Sequence, residues 1–259
     1  YTIMLVTIKL GGSIITDKAK FKTPNKENID RLCSILGKLY KKGIKFIVIH
    51  GAGSYAHIPS KEYGLADGIK NEEGKLNFSK VHLYCDELSN LIIESLIKHG
   101  MPAVSFHPAT FVIQKNKEPL EIYDKMILKY LDLNYVPVSH GDVVLDDKIN
   151  TSIISGDALM DHFGKISDKL IFVSDVDGLL TSLDGNGKVI EEVNKKNIDE
   201  ILKMVSGSSH TDVTGGMSGK IKNLSKLKCE TYIVNGNHPE RIEKIINDEK
   251  DVYTKFIFK

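Results

Sequence analysis

Residues 4–13, MLVTIKLGGS, form an apolar, β-branched run that stops at a pair of glycines. Residues 45–57, KFIVIHGAGSYAH, repeat the arrangement: an apolar run, then glycines and small residues. A short run apolar throughout reads as a strand buried on both faces, the habit of parallel sheets covered by helices. Strands of this kind are predicted over Met4–Leu10, Lys45–His50, Ala103–Phe106, Val136–Ser139, Lys169–Ser174 and Thr231–Asn235. Helical periodicity fills the gaps. Asn25–Lys42 sets Ile29, Leu32, Cys33, Leu36, Leu39 and Tyr40 on one face. Asn77–His99 does the same with Val81, Leu88, Leu91, Ile92, Ser95 and Leu96, and stops at Gly100 before Pro102. Ser155–Lys165, Asn197–Val205, Gly216–Lys228 and Pro239–Asn247 supply further helices. This alternation predicts an α/β fold, an open αβα sandwich around a central, mostly parallel sheet. The polar stretch Gly64–Lys75 reads as a flexible segment, Lys115–Glu118 as a hairpin tip and Asp184–Lys188 as a turn. No linker interrupts the pattern, so residues 1–259 read as a single domain whose two lobes share one sheet.

The chain has 259 residues, 35 Lys+Arg, 34 Asp+Glu and a formal net charge of +1. A balance this close leaves no electrostatic footprint for nucleic acid or an anionic membrane. Apolar residues at 41% and charged residues at 27% mark a folded domain rather than a disordered chain. No run approaches the length of a membrane-spanning helix. The apolar opening is broken by Lys9 and the glycine pair and lacks a basic flank, so it does not read as a signal peptide. Three scattered cysteines, Cys33, Cys85 and Cys229, offer neither a disulfide framework nor a CxxC metal site. Reduced thiols and a cytoplasmic location are expected. Arginine occurs only at Arg31 and Arg241. Any anion is therefore held by lysine point charges and backbone amides rather than guanidinium forks.

Open α/β sheets bind ligands at the carboxyl ends of their strands. The first strand exits into Lys9-Leu10-Gly11-Gly12-Ser13 and the second into His50-Gly51-Ala52-Gly53-Ser54-Tyr55-Ala56-His57. Small residues and free amides in such loops can cradle phosphate oxygens; the same glycines can equally serve tight strand-to-helix packing. Residues 51–56 also fit G-x-G-x-x-G/A. That fingerprint belongs to the first βα turn, however, and no acidic residue ends a following strand at the required distance. A Walker A loop fails too, because around Gly219-Lys220 Thr214 takes the first glycine position and Ile221 the Ser/Thr position.

Further along stand Ser155-Gly156-Asp157 at a helix start and Ser174-Asp175-Val176-Asp177-Gly178 at a strand exit. Asp212-Val213-Thr214-Gly215-Gly216-Met217-Ser218-Gly219-Lys220 follows. In this order the set resembles the amino acid kinase superfamily. Within it, K-x-GGS-x-x-TDK near the start and HGAGS-x-x-H after the second strand resemble the isopentenyl phosphate kinases. The resemblance runs to Asn235-Gly236-Asn237-His238-Pro239-Glu240 and so covers essentially the whole chain.

The resemblance implies an amino acid kinase-like fold, with an acceptor-binding lobe over about residues 1–165 and a nucleotide-binding lobe over about 166–259. It implies ATP as donor, with Mg²⁺ held mainly by its phosphates, and a small-molecule phosphate as acceptor. Lys9 and Lys220 would meet the transferring and β-phosphates, and Lys18 the γ-phosphate. Gly11, Gly12 and Ser13 would give it amides, and Asp157 would hold the two lysines. Asp175, Asp177, Gly178 and Gly216 would serve the nucleotide. Gly51, Ala52, Gly53, His57 and Gly156 would take the acceptor phosphate. Phe78, Val81, Val143 and Ile154 would line a pocket for its hydrocarbon tail, although ordinary core packing explains those four equally well. A homodimer is also implied.

The chemistry suits those residues. Phosphoryl transfer is mainly positioning and charge stabilisation of a loose transition state. A phosphate acceptor needs no general base, because its second pKa is about 6. It needs donors that bring it to ATP against charge repulsion, which a histidine can supply. His50 reads as a strand-end packing residue. The other seven histidines show no HExxH or related spacing, so no protein-held metal is expected.

Four positions, in three motifs, depart from the family pattern. Tyr55-Ala56 stands where Phe-Gly is usual, Ala158 follows Asp157 where a second Asp is common, and Ser174 replaces the Thr of TDVDG. Two other readings stand beside the leading one. The first is a kinase of another small phosphate or phosphonate, such as a fosfomycin-type antibiotic. The second is a nucleotide-binding protein without turnover.

Overall fold

The computed structural model describes residues 3–181, 187–206 and 216–258. β1 (Leu5–Leu10) leads through α1 (Gly12–Ile15) and α2 (Lys26–Lys41) to β2 (Lys45–His50). Next come α3 (Gly53–Glu62), the long α4 (Glu72–Lys98), β3 (Ala103–Ser105) and α5 (Pro108–Phe111). The hairpin β4 (Val112–Lys115) and β5 (Glu118–Ile122), then α6 (Lys125–Asp132) and β6 (Val136–His140), precede a second hairpin, β7 (Asp142–Asp146) and β8 (Asn150–Ile154). The C-terminal part holds α7 (Gly156–Phe163), β9 (Lys169–Ser174), β10 (Glu192–Asn194) and α8 (Ile198–Ser206). It ends with α9 (Gly216–Leu224), β11 (Glu230–Asn235), α10 (Glu240–Ile246) and β12 (Thr254–Ile257).

Eight strands form one sheet in the order β10-β12-β11-β9-β1-β2-β6-β3. Every pair in it is parallel except β11 with β12. β1 sits at the centre, with Lys9 in register between Ile49 of β2 and Phe172 of β9. From β1 the chain winds towards β2, and from β9 it winds away towards β11. The exits of β1 and β9 therefore part and leave a crevice at the switch point. A four-stranded sheet, β5-β4-β7-β8, stands beside this assembly.

Side-chain parity decides what each strand offers to each face. Val6, Ile8 and Leu10 join Phe46, Val48, Ile171 and Val173 under α2, α4 and α10. Ile47, Ile49, Leu170 and Phe172 face the other way, onto α7 and α9. Lys9 shares the second parity with Leu5 and Thr7, which directs it towards α7.

All six expected strands form, with ends within one residue of their expected limits. The hairpin tip at Lys115–Glu118 is also found. Asn116 and Lys117 take φ of 53° and 71°, and the Asp146 carboxylate accepts from both their amides at 2.9 and 2.8 Å. The stretch Gly64–Lys75 differs from expectation, because α4 begins at Glu72 rather than Asn77. Asn71 caps it by accepting from Gly74 N at 2.9 Å, and Glu72 and Glu73 sit favourably in the first turn. Thr181 N donates to Lys188 O at 2.9 Å, but the core of the expected Asp184–Lys188 turn lies outside the described residues.

Candidate active site

The parity of β1 and the start of α7 bring a lysine and an aspartate together. Lys9 Nζ lies 2.6 Å from Asp157 Oδ1, and Lys220 Nζ of α9 lies 3.7 Å from Asp157 Oδ2. Gly156 allows this approach, since a Cβ there would come within 3.1 Å of Lys9 Cε. Ser155 caps α7 through Ala158 N and fixes the turn that carries Asp157. Burial would raise the Asp157 carboxyl, but the two lysines outweigh it and hold it below the usual carboxylate range. Burial lowers the Lys220 ammonium against the pull of Asp157. The same ammonium lies 4.4 Å from the centre of the Phe172 ring.

These groups border a cavity of about 350 Å³ lined by Lys9, Gly11, Gly12, Ser13, Lys18, Gly53, His57, Phe172, Val173, Ser174 and Lys220. It occupies the crevice between the β1 and β9 exits, with α3 supplying His57. Burial lowers the His57 imidazole below its ordinary value, and the charges of Lys9 and Lys18 add to the effect. Lys18 Nζ reaches Asp175 at 3.5 Å. Lys9, Lys18, His57 and Lys220, distant in sequence, thus face one space.

The glycines of the two loops are needed by each other. A Cβ on Gly12 would sit 2.7 Å from Gly53 Cα, and one on Gly51 would sit 2.7 Å from Gly12 N. Gly53 has φ of 51°, and a Cβ there would run into the Thr16 side chain. Thr16 Oγ1 donates to Gly12 O at 2.7 Å and accepts from Ser54 N at 3.1 Å, which ties the loops together. Gly11 corrects an expectation: its amide donates to Val173 O at 2.9 Å and is not turned to the cavity. The amides of Gly12 and Ser13, in the first turn of α1, have no acceptor within the helix.

The nucleotide-side expectations divide. Asp177 is bound to Arg241 Nη1 at 2.5 Å and Asn235 Nδ2 at 3.2 Å, and Arg241 lowers its carboxyl. It holds α10 to the β9 exit instead of facing the cavity. A Cβ on Gly178 would meet Thr254 Oγ1 at 2.5 Å, so this glycine serves the approach of β12. Gly216 opens α9, while Asp212–Gly215 lie outside the described residues.

On the acceptor side Val81 and Val143 pack with Ala52, Ala56, Leu65 and Cys85, and Phe78 lies against them. Ile154 belongs elsewhere: it is buried with Ile49 and Leu159 on the α7 side of the sheet. Tyr55 turns into the main core, and the methyl of Ala56 is buried in the small cluster. One grouping escaped the sequence reading. The fold gathers His50, His82, His107 and His140 near Asp86 and Asp142, contrary to the expectation that the histidines form no ligand-like set. The one local hint was the four-residue spacing of His82 and Asp86.

Residues 4–235 match the model of the amino acid kinase family. The isopentenyl phosphate kinase of Methanocaldococcus jannaschii is 36% identical, with 95% of this chain and 96% of that one covered. An (aminomethyl)furanylmethyl phosphate kinase of the same organism is 31% identical over 96% of both chains. A crystal structure of isopentenyl phosphate kinase superposes with a TM-score of 0.81 at 28% identity, covering 97% of this chain and 99% of its own. The family match over residues 4–235 and the identity over nearly the whole of both chains place this chain in the amino acid kinase family, among the isopentenyl phosphate kinases.

Proposed function

We propose that this chain transfers the γ-phosphoryl group of ATP to isopentenyl phosphate, yielding isopentenyl diphosphate and ADP. The observation that carries the reading is the convergence of Lys9 and Lys220, both set by Asp157, with Lys18 and His57 on one cavity. Two anions, Mg-ATP and a phosphate monoester, must be brought together there, and fixed cations offset their repulsion. In this reading Lys9 and Lys220 meet the transferring and β-phosphates. Lys18 leaves its weak, exposed pairing with Asp175 for the γ-phosphate. The amides of Gly12 and Ser13 assist, and His57 holds the acceptor phosphate. Asp157 stays paired with Lys9 and Lys220, so Mg²⁺ would enter on the nucleotide and be held mainly by phosphate oxygens. The β1–β2–β6 side would take the acceptor and the β9–β11 side the nucleotide.

The likeness to a furanylmethyl phosphate kinase favours a second acceptor of the same chemical kind, since the proposed phosphate contacts do not sense the attached carbon skeleton. An acceptor screen with Mg-ATP, read by ADP release, separates the readings. Isopentenyl phosphate should give the highest kcat/KM among it, a furanylmethyl phosphate and fosfomycin. No ADP with any of the three would sink the kinase reading. Lys220→Ala should abolish turnover while leaving a folded protein, and persistent turnover would overturn the role given to that lysine. A cytoplasmic homodimer completes the proposal, with sedimentation velocity as the check on assembly. No helix among the described residues is long and apolar enough to cross a membrane.

A further inference from the structure

A second cluster of titratable side chains lies outside the phosphate cavity. His140 ends β6, His107 precedes α5, and His82 and Asp86 stand one turn apart on α4. The rings pack edge to face, with centroids 5.8 Å apart for His107 and His140 and 5.7 Å for His82 and His107. Asp86 Oδ1 is 2.6 Å from His107 Nδ1 and 3.6 Å from His140 Nε2, and these three atoms all lie within 4.8 Å of one another. Each is sealed from solvent, yet none has a hydrogen-bond partner of acceptable direction.

The tautomer of His140 sharpens the problem. Its Nδ1 lies 3.0 Å from the carbonyl of Gly141, a contact that requires the proton on Nδ1. Nε2 then turns a lone pair towards the same region as a carboxylate oxygen. A buried carboxylate oxygen and a buried imidazole lone pair left facing each other are costly unless a cation joins them. Neighbouring groups are already provided for. Asp142 accepts from His82 Nδ1 at 2.9 Å and from Val143 N at 2.8 Å. Cys85 forms an overlapping set with His140 and Asp142, but burial keeps its thiol protonated far above the usual range.

We propose that Asp86, His107 and His140 bind one divalent transition-metal ion of the zinc class. Imidazole and carboxylate donors suit such an ion, and bonds of about 2.0–2.1 Å in a tetrahedron set donors roughly 3.3 Å apart. The observed 2.6 and 3.6 Å bracket that spacing. His82 Nε2 lies 3.5 Å from the other Asp86 oxygen, and Asp142 orients the His82 ring through Nδ1 in the way carboxylates orient metal-bound histidines. The ion would tie α4 to the β6 exit and the start of α5. Cys85 and Val143, next to two of these residues, belong to the apolar cluster behind the α3 loop, so the ion would fix how α4 closes over it.

The test uses the untagged full chain, stripped with chelator, dialysed, and titrated with Zn²⁺ and with Co²⁺. One equivalent per chain, a Co²⁺ visible spectrum of tetrahedral intensity and a raised Tm are expected. X-ray absorption at the zinc edge should show at least two imidazole ligands, a readout that needs no variant. Asp86→Asn and His107→Gln keep side-chain size, and each should weaken Zn²⁺ binding at least about tenfold. The proposal is overturned by absence of stoichiometric binding, by a zinc-edge spectrum without imidazole, or by binding that both variants leave unchanged. Proton NMR of a metal-refractory protein showing His107 and His140 charged at neutral pH would assign the bridging cation as a proton and equally overturn it.

Discussion

Lys9 Nζ lies 2.6 Å from Asp157 Oδ1, across the gap between the central strand and the helix that covers it. The other oxygen of that carboxylate faces Lys220. One negative charge thus holds two positive charges that would otherwise repel each other in a confined site. Asp157→Asn keeps the shape and removes the charge. It should lower kcat by about 100-fold, the scale of losing one fixed stabilising group. Stability should change by less than about 1 kcal/mol, because the Asp157 side chain is 42% exposed and its pairing is partly screened. Steady-state kinetics beside urea denaturation checks both statements, and a kcat within a few-fold of the parent would remove Asp157 from this role.

The two glycine loops make a separate claim on stability. Gly53 combines a left-handed φ of 51° with a side-chain direction occupied by Thr16. Gly53→Ala should destabilise the fold by about 1–3 kcal/mol. Thr16→Ala alone loses the hydroxyl's bonds to Gly12 O and Ser54 N, for about 1 kcal/mol or more. In the double variant the clash disappears, so the two costs should fall short of adding. Strict additivity in a denaturation cycle would show that the contact carries no energy.

What could be read from the sequence follows from how local each signal is. The six strands declare themselves because each is an apolar run that needs no partner to be recognised. The exits of β1 and β2 follow at once. The Lys9–Asp157 contact is different: 148 positions separate the two, and only strand parity and the placing of α7 join them. Resemblance, not spacing, points to it. Of the second sheet only the hairpin tip at Lys115–Glu118 is legible, because strands such as β5, EPLEI, are exposed along most of their length and carry no alternating pattern. The resemblance sets Ile154 beside Val143, yet their side chains pack into different clusters. The histidine cluster draws on β2, α4, the α5 start and β6, and no linear pattern describes four elements meeting at one sheet end.

His57 gives the clearest pH dependence. Burial, then Lys9 and Lys18, holds its pKa below the ordinary 6.5 in the acceptor-free protein. The unfolded chain therefore takes up a proton as pH falls through about 6.5 while the folded chain resists it, so this residue subtracts from stability below that pH. His57→Gln should gain stability relative to the parent between about pH 7 and pH 5. A phosphate dianion acts in the opposite direction and favours the charged imidazole. Acceptor binding should accordingly take up protons near neutral pH, and more so in the parent than in His57→Gln. Calorimetry in two buffers of different ionisation enthalpy measures the difference, and equal uptake by both proteins would separate His57 from the acceptor phosphate.

The tail of the acceptor raises a question of volume. Val81 and Val143 are each only 1% exposed and pack with Ala52, Ala56, Leu65 and Cys85 directly behind the His57 helix. The proposed site sets the acceptor's hydrocarbon tail against this cluster, where only shape can select it because its alkene makes no hydrogen bonds. Val81→Ala removes two buried methyl groups and should cost about 2 kcal/mol of stability. It also leaves room for roughly one more methylene group, and discrimination by volume is worth about 1–3 kcal/mol per methylene. The ratio of kcat/KM for a longer prenyl phosphate over isopentenyl phosphate should therefore rise by about tenfold. Were both acceptors to lose kcat/KM in the same proportion, the tail would lie against other side chains and this cluster would be core alone.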